Sequence, residues 1–239
     1  MDFVQKVLAA AGLGLSFSLL ATDALASPAN PVAGTEYQVL TSPQPTNSAI
    51  GKKVEVTEFF WYSCPHCSAM EPSLEAWVAK QGDKISFQRV PISSDPRMLP
   101  QQKLFYALEA LGKIPEMQEK VFNAIHVQRQ RLDNDASIAD FIAKQGIDKV
   151  KFLDLYNSFA VQTKATRATQ LQNAYKVDGV PTLVVDGRYV TSPAIVQASP
   201  GAGDTEAALF KSTMQVMDGL VAKAASEKSG ATAVANNKK

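Results

Sequence analysis

Cysteine and histidine are scarce in this chain. Its 239 residues include two of each. Two cysteines are too few for a disulfide-rich scaffold, and with so few histidines they do not easily complete a zinc site. Lysine and arginine total 24 against 23 aspartates and glutamates, so no excess of charge favours nucleic acid or an anionic membrane. Attention therefore falls on the two thiols, Cys64 and Cys67.

The chain also lacks the composition of a disordered protein. It is 46% hydrophobic and 20% charged, which is ordinary for a globular protein. Its length allows one or two domains with a substantial core. Beyond residue 20, no apolar stretch approaches the ~20 residues needed to cross a bilayer. We therefore expect the mature protein to be folded and soluble.

The N-terminus has the layout of a secretory signal. An uncharged, apolar run over residues 7–20 follows Lys6, and Ala24-Leu25-Ala26 supplies small residues before a cleavage point. The alternatives are a transmembrane anchor, for which an apolar run of about 14 residues is short, and a buried core helix. We predict that residues 1–26 are a cleaved signal peptide. The mature chain would then work outside the cytoplasm, where thiols tend to form disulfides.

A strand, a helix and a second strand are predicted around the cysteines. Residues 54–62 are dense in β-branched and aromatic side chains, as in a strand buried on both faces. Apolar positions at helical spacing then continue to residue 81, and residues 85–92 form the second strand candidate. The thiols would lie at the carboxyl end of a strand, where α/β sheets usually hold their chemistry.

Helical patterns then separate this unit from a second group of strands. Between residues 98 and 177 the apolar spacing predicts five helices, with Phe159 on the buried face of the fourth. Strand character returns at residues 182–185, and Asp186-Gly187 after it predicts a hairpin. A closing helix is predicted over residues 207–222.

The predicted fold class is α/β, with one sheet domain interrupted by an inserted all-helical domain. Residues 27–36, which follow the signal peptide, are rich in small and polar side chains and are predicted to be flexible. The C-terminal residues 225–239 are also small and polar and are predicted to be disordered. The predicted segments are a flexible lead (27–36), the sheet domain, first part (37–97), the helical insertion (98–177), the sheet domain, second part (178–224), and a disordered tail (225–239).

The spacing of the cysteines favours redox chemistry over two simpler roles. A staple that closes a four-residue loop stabilises by only about 1.9 kcal/mol in the chain-entropy model. A metal site would crowd Cys64, His66 and Cys67 together. The other histidine, His126, is interpreted as a surface or core residue. A Cys-x-x-Cys pair between a strand and a helix instead places the first thiol at the helix N-terminus, partly exposed, with the second behind it.

The direction of that chemistry follows from the Cys64 thiolate. The helix N-terminus and a protonated His66 would stabilise it. Only the reduced protein contains this thiolate, so its stabilisation makes the disulfide easier to donate. Each pKa unit below the working pH corresponds to about 1.4 kcal/mol, or roughly 30 mV for a two-electron couple. We predict an oxidant in which a substrate thiolate attacks Cys64 and Cys67 is the leaving thiol.

The chain carries Phe-Trp-Tyr-Ser-Cys-Pro-His-Cys at residues 60–67 and Gly-Val-Pro-Thr at residues 179–182. With the helical insertion between them, these motifs resemble the DsbA family of periplasmic dithiol oxidases in the thioredoxin superfamily. The resemblance extends from about Tyr37 to Ala222. It implies a thioredoxin-like fold, a strongly oxidising cysteine pair and no metal or other cofactor.

The same resemblance implies the partners and the compartment. The substrates would be unfolded exported proteins with free thiols, met in the periplasm. A quinone-linked membrane oxidase like DsbB would restore the disulfide. We expect a monomer that binds no nucleic acid.

Three further residues are assigned by the resemblance. Pro181 matches the proline that is cis and faces the active cysteines in thioredoxin-like folds, although sequence alone makes it only a strand start. Val180 would then pair its backbone with an extended substrate segment. Glu58 matches a buried acid beneath the disulfide, with an exposed strand residue as the alternative. Desolvation would raise the pKa of a buried Glu58, which could then exchange the proton of Cys67.

Two other functions fit parts of the sequence. A disulfide isomerase or reductase of the same superfamily shares the cysteine pair. Such proteins often add a dimerisation domain before the sheet, however, and residues 27–51 are too short for one. A peptide-binding chaperone without redox turnover would use the same apolar surface. The secretory signal, the Cys-Pro-His-Cys motif and the absence of other thiols favour the oxidase.

Overall fold

A computed structural model describes residues 26–47 and 53–236, with side chains up to residue 230. The signal peptide predicted over residues 1–26 lies almost wholly outside these ranges and stays a prediction. Among the described helices, none combines the length and apolar character that crossing a membrane requires.

A mixed sheet lies at the centre of the fold. Its strands in the described ranges are β1 (Gln38–Val39), β2 (Val54–Phe60), β3 (Ile85–Pro91), β4 (Thr182–Val185) and β5 (Tyr189–Thr191). Their order across the sheet is β1-β5-β4-β2-β3. The β2 and β3 strands run parallel, and the other neighbouring pairs are antiparallel. The predicted strand-helix-strand unit and the later strand pair are both confirmed.

The strand that leads to the cysteines is internal to the sheet. All seven residues of β2 are buried, as its β-branched and aromatic composition predicts. Phe59 lies opposite Val90 of β3 on one side and Thr182 of β4 on the other. The chain that follows Phe60 therefore leaves the sheet between two partner strands. These strands determine the position of the loop that carries the cysteines.

Helices cover both faces of the sheet. Those described are α1 (Pro65–Gln81), α2 (Leu99–Ala110), α3 (Ile114–His126), α4 (Asp135–Lys144), α5 (Lys149–Tyr156), α6 (Phe159–Ala174), α7 (Pro193–Val196) and α8 (Glu206–Asn236). One hydrophobic core packs α1 and α8 against the sheet, and a second packs the helical insertion against it. The predicted insertion corresponds to α2–α6.

The predicted hairpin between β4 and β5 turns at Asp186-Gly187. Both residues have positive φ angles, 54° and 70°. Asp-Gly adopts this left-handed pair of conformations with little strain, which is why the dipeptide is a strong hairpin signal. This turn returns β5 alongside β4 and completes the sheet that carries residues 180 and 181 to the cysteines.

The predicted position of Phe159 is wrong. The fourth helix of the insertion ends at Tyr156, and Phe159 begins the next one. The Ser158 hydroxyl accepts a hydrogen bond from the Val161 N–H and so caps the new helix. Phe159 is consequently 86% exposed rather than buried. Its apolar spacing continued the pattern of α5, but the serine cap restarted the helix.

The disordered tail predicted from residue 225 is also wrong, because α8 continues to Asn236. The Tyr189 hydroxyl donates a hydrogen bond to Glu227 at 2.7 Å, and Arg188 forms an ion pair with the same carboxylate. Alanine is frequent in this segment and is the best helix former. The small and polar composition after residue 225 predicted a solvated, disordered segment. Helix propensity and the contacts with β5 instead extend α8.

The lead predicted to be flexible over residues 27–36 is held against the domain. Glu36 at its end is completely buried. Its carboxylate accepts hydrogen bonds from the Val32 N–H at 2.8 Å and from the Ser199 hydroxyl. A buried carboxylate needs such partners, and one of them lies 163 residues away in the sequence. Local composition gives no sign of this anchor.

Candidate active site

Cys64 caps the N-terminus of α1. Its backbone is extended, with φ −78° and ψ 117°, and its Sγ accepts a hydrogen bond from the Cys67 N–H at 3.4 Å. Pro65 occupies the first turn, where the missing N–H leaves no intrahelical bond unmade. The thiol therefore faces the positive end of the helix, as the sequence predicts.

The two thiols differ in accessibility. Both are free in this structure. Cys64 is 7% exposed, whereas Cys67 is completely buried behind it. A thiolate that approaches from solvent can therefore reach only Cys64.

The two thiols also differ in acidity. The pKa of Cys64 is lowered from 9.0 to about 6, mainly by a hydrogen bond from the Cys67 thiol. The backbone N–H groups of Cys67 and His66 and the charge of His66 lower it further, against desolvation. Burial raises the pKa of Cys67, and the negative charges of Cys64 and Glu58 raise it more. Cys64 consequently ionises while Cys67 keeps its proton.

A second loop meets the cysteines from across the sheet. The Val180–Pro181 peptide bond is cis, as the resemblance implies. The Cys64 thiol lies 3.4 Å from the Val180 carbonyl oxygen, to which it can donate a hydrogen bond. These residues are 116 positions apart and are brought together because β4 pairs with β2. The structure thus places Val180 and Pro181 beside Cys64.

His66 lies at the surface beside Cys64. Its side chain is 68% exposed, and Nδ1 lies 2.7 Å from Oε1 of Glu206, the first residue of α8. Its charge lowers the pKa of Cys64, although the hydrogen bonds to Cys64 contribute more. No local motif reveals Glu206 as a partner, because it lies 140 residues away in the sequence.

Glu58 is completely buried, so the alternative of an exposed strand residue is wrong. Its Oε2 accepts a hydrogen bond from Arg89 Nε at 2.9 Å. The other oxygen, Oε1, has no hydrogen-bond partner among the described residues. Desolvation raises the pKa of Glu58 despite the lowering effect of Arg89, and the Cys64 charge raises it further. The charge of Cys64 therefore influences the pKa of Glu58, and one Glu58 oxygen is unpaired within the described residues.

Arg89 forms ion pairs with three carboxylates near the cysteines. Besides Glu58, its Nη2 contacts Glu71 at 2.8 Å and Glu75 at 2.5 Å. Burial raises the pKa of Glu71 to about 8, and the neighbouring Glu58 charge adds to the effect. The sequence pattern did not predict this cluster. Its signal was the buried acid in β2, which requires a cation, and Arg89 stands directly opposite Glu58 in the parallel strand register.

His126, the last residue of α3, has a clear role that its sequence context did not show. Its Nε2 lies 2.8 Å from the Tyr62 carbonyl oxygen in the loop that precedes Cys64. The Tyr62 hydroxyl in turn donates a hydrogen bond to Gln118 of α3 at 2.8 Å. The helical insertion therefore holds the loop from which the cysteines extend.

Replacing His126 by Leu should lower the free energy of unfolding by about 1–3 kcal/mol, because the Tyr62 carbonyl loses its donor. Chemical denaturation of the oxidised protein measures this change. Gln128→Leu, a polar-to-apolar replacement at an exposed position two residues later, is the matched control and should have little effect. Equal stability of the two variants would contradict the anchoring role of His126.

A groove of about 400 Å³ opens beside the Val180–Pro181 bond. Apolar side chains from Pro193, Leu209 and Phe210 contribute to its walls, and His66 stands at its edge. An extended chain in this groove would pass close to Cys64, because Val180 touches both. Among the described residues, neither this groove nor any other region contains a group of three or more side chains that could hold a metal ion.

Comparison with known proteins agrees with this geometry. The profile of the DSBA-like thioredoxin domain matches residues 55–207. The thiol:disulfide interchange protein DsbA of Burkholderia cepacia is 48% identical over 207 residues, which cover 87% of this chain and 92% of that protein. The DsbA of Pseudomonas aeruginosa PAO1 is 41% identical over 157 residues, covering 66% of this chain and 74% of the relative.

Solved structures resemble the whole architecture. The crystal structure of Pseudomonas aeruginosa DsbA superposes with a TM-score of 0.73 at 36% identity and covers 84% of this chain and 96% of that one. Reduced DsbA1 from Neisseria meningitidis gives a TM-score of 0.70 at 28% identity, over 85% of this chain and 100% of that one. The sheet and the helical insertion are therefore shared with these proteins.

Proposed function

This chain belongs to the family of DSBA-like thioredoxin domains, and we propose that it donates its Cys64–Cys67 disulfide to exported proteins as a periplasmic dithiol oxidase. Its relatives are named thiol:disulfide interchange proteins, and this chain is a thiol:disulfide oxidoreductase. The observation that carries the direction of the reaction is the lowered pKa of Cys64 beside the raised pKa of Cys67.

The reaction begins with the oxidised protein. A client thiolate attacks Cys64 Sγ, a bond forms between the two sulfurs, and the bond to Cys67 breaks with its electron pair passing to Cys67. A second client thiolate then attacks the client sulfur of this mixed disulfide, and Cys64 leaves as the thiolate. The client is oxidised to a disulfide, and the protein gains two electrons. The low pKa of Cys64 makes it a good leaving group in the second step.

Cys67 needs a proton once it has left the disulfide, because its pKa is raised by burial. We assign the delivery of that proton to Glu58, whose own pKa is raised and whose Oε1 is unpaired among the described residues. A buried acid of this kind can act as a general acid in one step and accept the proton back on reoxidation.

Glu58→Gln should slow reduction of the oxidised protein by a small dithiol by at least about 10-fold, since general acids contribute about 10²–10⁴-fold. Quenched-flow alkylation measures the rate, and the pH profile should lose the inflection of a titrating carboxyl group. Glu75→Gln, at the exposed end of the same Arg89 cluster, is the matched control and should keep that inflection. Parental rates and pH profile for Glu58→Gln would contradict the role.

The thiolate of Cys64 should be half formed at a pH of about 6 in the reduced protein. Its pKa is lower in the folded protein than the ordinary 9.0, so it stabilises the reduced form fully above pH 9. That stabilisation falls as the pH is lowered and is lost below about 6. Thiolate absorbance gives the midpoint, and denaturation of both forms gives the stability. A midpoint near 9.0, the ordinary value, would contradict the redox assignment.

We propose the partners from the geometry of the site and from the resemblance to the DsbA family. The Val180 backbone can pair with an extended client segment, which favours unfolded proteins without requiring a particular sequence. We assign reoxidation of the cysteines to a quinone-linked membrane oxidase like DsbB. The protein would act as a monomer after removal of residues 1–26.

Refolding of a client with scrambled disulfides separates the oxidase from an isomerase. The oxidised protein should form disulfides rapidly in a reduced client. Its reduced form should not rescue a client whose disulfides are already mispaired, because a thiolate of low pKa is a weak nucleophile and a good leaving group. Efficient rescue in the absence of any other catalyst would favour the isomerase.

A further inference from the structure

The groove beside the Val180–Pro181 bond has a strongly one-sided charge. Three carboxylates line it, from Asp178, Asp204 and Glu206. His66 is the only basic side chain among the residues that form its walls, and it is paired with Glu206. Asp178 and Asp204 have no ion-pair partner within the described residues and are exposed. Two uncompensated negative charges therefore remain at the rim.

These charges come from separate parts of the chain. Asp178 lies two residues before Val180, whereas Asp204 belongs to the segment that leads into α8. The fold places them on one groove with Leu209 and Phe210. A bound chain would thus meet an apolar wall together with a negative rim.

A second cavity, which borders the active-site loop, has a different charge. A cavity that contains Trp61 and Ser63 is lined by Arg97, Arg129 and Arg131 together with Asp95 and Asp133. Arg97 and Arg131 form ion pairs with these two aspartates. Two of its three arginines are therefore paired, and none of the three lines the groove of Val180.

We propose that the Asp178–Asp204 rim gives the enzyme a preference for client segments with lysine or arginine near the reacting cysteine. This inference rests on the proposed oxidase function and adds the class of client that the site favours. A basic residue would approach the rim while the client backbone lies along Val180. Opposite charges on the client and the groove raise the rate of encounter, whereas an acidic client is repelled.

The test compares two dithiol peptides that differ only in the residues beside one cysteine, which are lysines in one and glutamates in the other. The quantity measured is the second-order rate constant for oxidation of each peptide by the oxidised full-length protein in a single turnover. Lysine also makes the peptide thiol itself more acidic, so a single ratio is ambiguous. The ratio for the parent is therefore divided by the ratio for Asp178→Asn/Asp204→Asn. Changes in the intrinsic reactivity of the peptides or of Cys64 cancel in this comparison.

The parent should favour the lysine peptide by about 10-fold more than the double variant does at low ionic strength. Salt should reduce this excess, because the Debye length falls from about 10 Å at 0.1 M to about 3 Å at 1 M. Glu119→Gln/Asp154→Asn removes the same two charges from exposed positions outside the groove and should behave as the parent.

An unchanged ratio in Asp178→Asn/Asp204→Asn, with both peptides still oxidised, would overturn the charge preference and leave the oxidase function intact. An equal loss of preference in the Glu119→Gln/Asp154→Asn control would also overturn it, because net charge and not the rim would then be responsible. Failure of the parent to oxidise either peptide would overturn the proposed function itself.

Discussion

Cys67→Ala should accumulate mixed disulfides on Cys64 and lose catalytic turnover. In this variant the Cys64 thiolate attacks a client disulfide, bonds to one client sulfur and releases the other as a thiolate. Cys67 is no longer present to attack the new bond and release Cys64. Non-reducing electrophoresis and mass spectrometry should therefore find the client joined to the protein, while oxidation of a dithiol peptide falls to background.

Two controls make this result specific. Cys64→Ala should form no adduct, because the buried Cys67 cannot be reached and keeps its proton. The pKa of Cys64 should be lower in Cys67→Ser than in Cys67→Ala. The serine hydroxyl can donate the hydrogen bond that Cys67 normally supplies, and that bond is the main cause of the low pKa of Cys64. A peptide-binding chaperone would bind clients without a reducible link. Binding by Cys67→Ala with no covalent adduct would therefore contradict the redox function.

Arg89→Met should destabilise the protein by about 3–5 kcal/mol above a pH of about 8, because it leaves buried carboxylates without their cation. Glu58 and Glu71 both contact Arg89, and both are buried. Chemical denaturation of the oxidised form measures the change. Arg97→Met is the matched control: its ion pair with Asp95 is exposed, so the loss should be below about 1 kcal/mol.

The pH dependence of the Arg89→Met defect identifies its cause. The pKa of Glu71 is already raised from 4.5 to about 8 by burial, and loss of the cation should raise it further, together with that of Glu58. A raised pKa favours folding at low pH and costs stability as the pH rises. The part of the defect that comes from Glu71 should therefore appear only above a pH of about 8, where Glu71 ionises in the parent. A defect independent of pH would indicate lost packing instead.

Sequence predicted the features that depend on neighbouring residues. The composition of β2, the position of Cys64 before α1 and the turn at Asp186-Gly187 are local patterns with local causes. The cysteine pair could be interpreted chemically because its strand and its helix are contiguous in the chain. The assignment of Pro181 needed the resemblance to a family, since nothing around it specifies a cis bond or its partner.

The parts that sequence missed depend on distant pairs. Glu206 reaches His66 across 140 positions, and Ser199 fixes Glu36 across 163. Neither contact has a periodicity or motif that could reveal it. Arg89 was the nearest to being predictable, because a buried Glu58 demands a cation on a neighbouring strand. The segments 27–36 and 225–236 were wrongly predicted to be flexible or disordered, because composition does not reveal the distant contacts that order them.

The reduction potential of the Cys64–Cys67 pair tests the central claim most directly. It can be measured on the full-length protein in glutathione buffers by the fraction of thiols that react with an alkylating agent. A stabilised Cys64 thiolate favours the reduced form, so we expect a potential more positive than about −180 mV, the value of a disulfide isomerase. A potential near about −270 mV, that of thioredoxin, would contradict the dithiol oxidase.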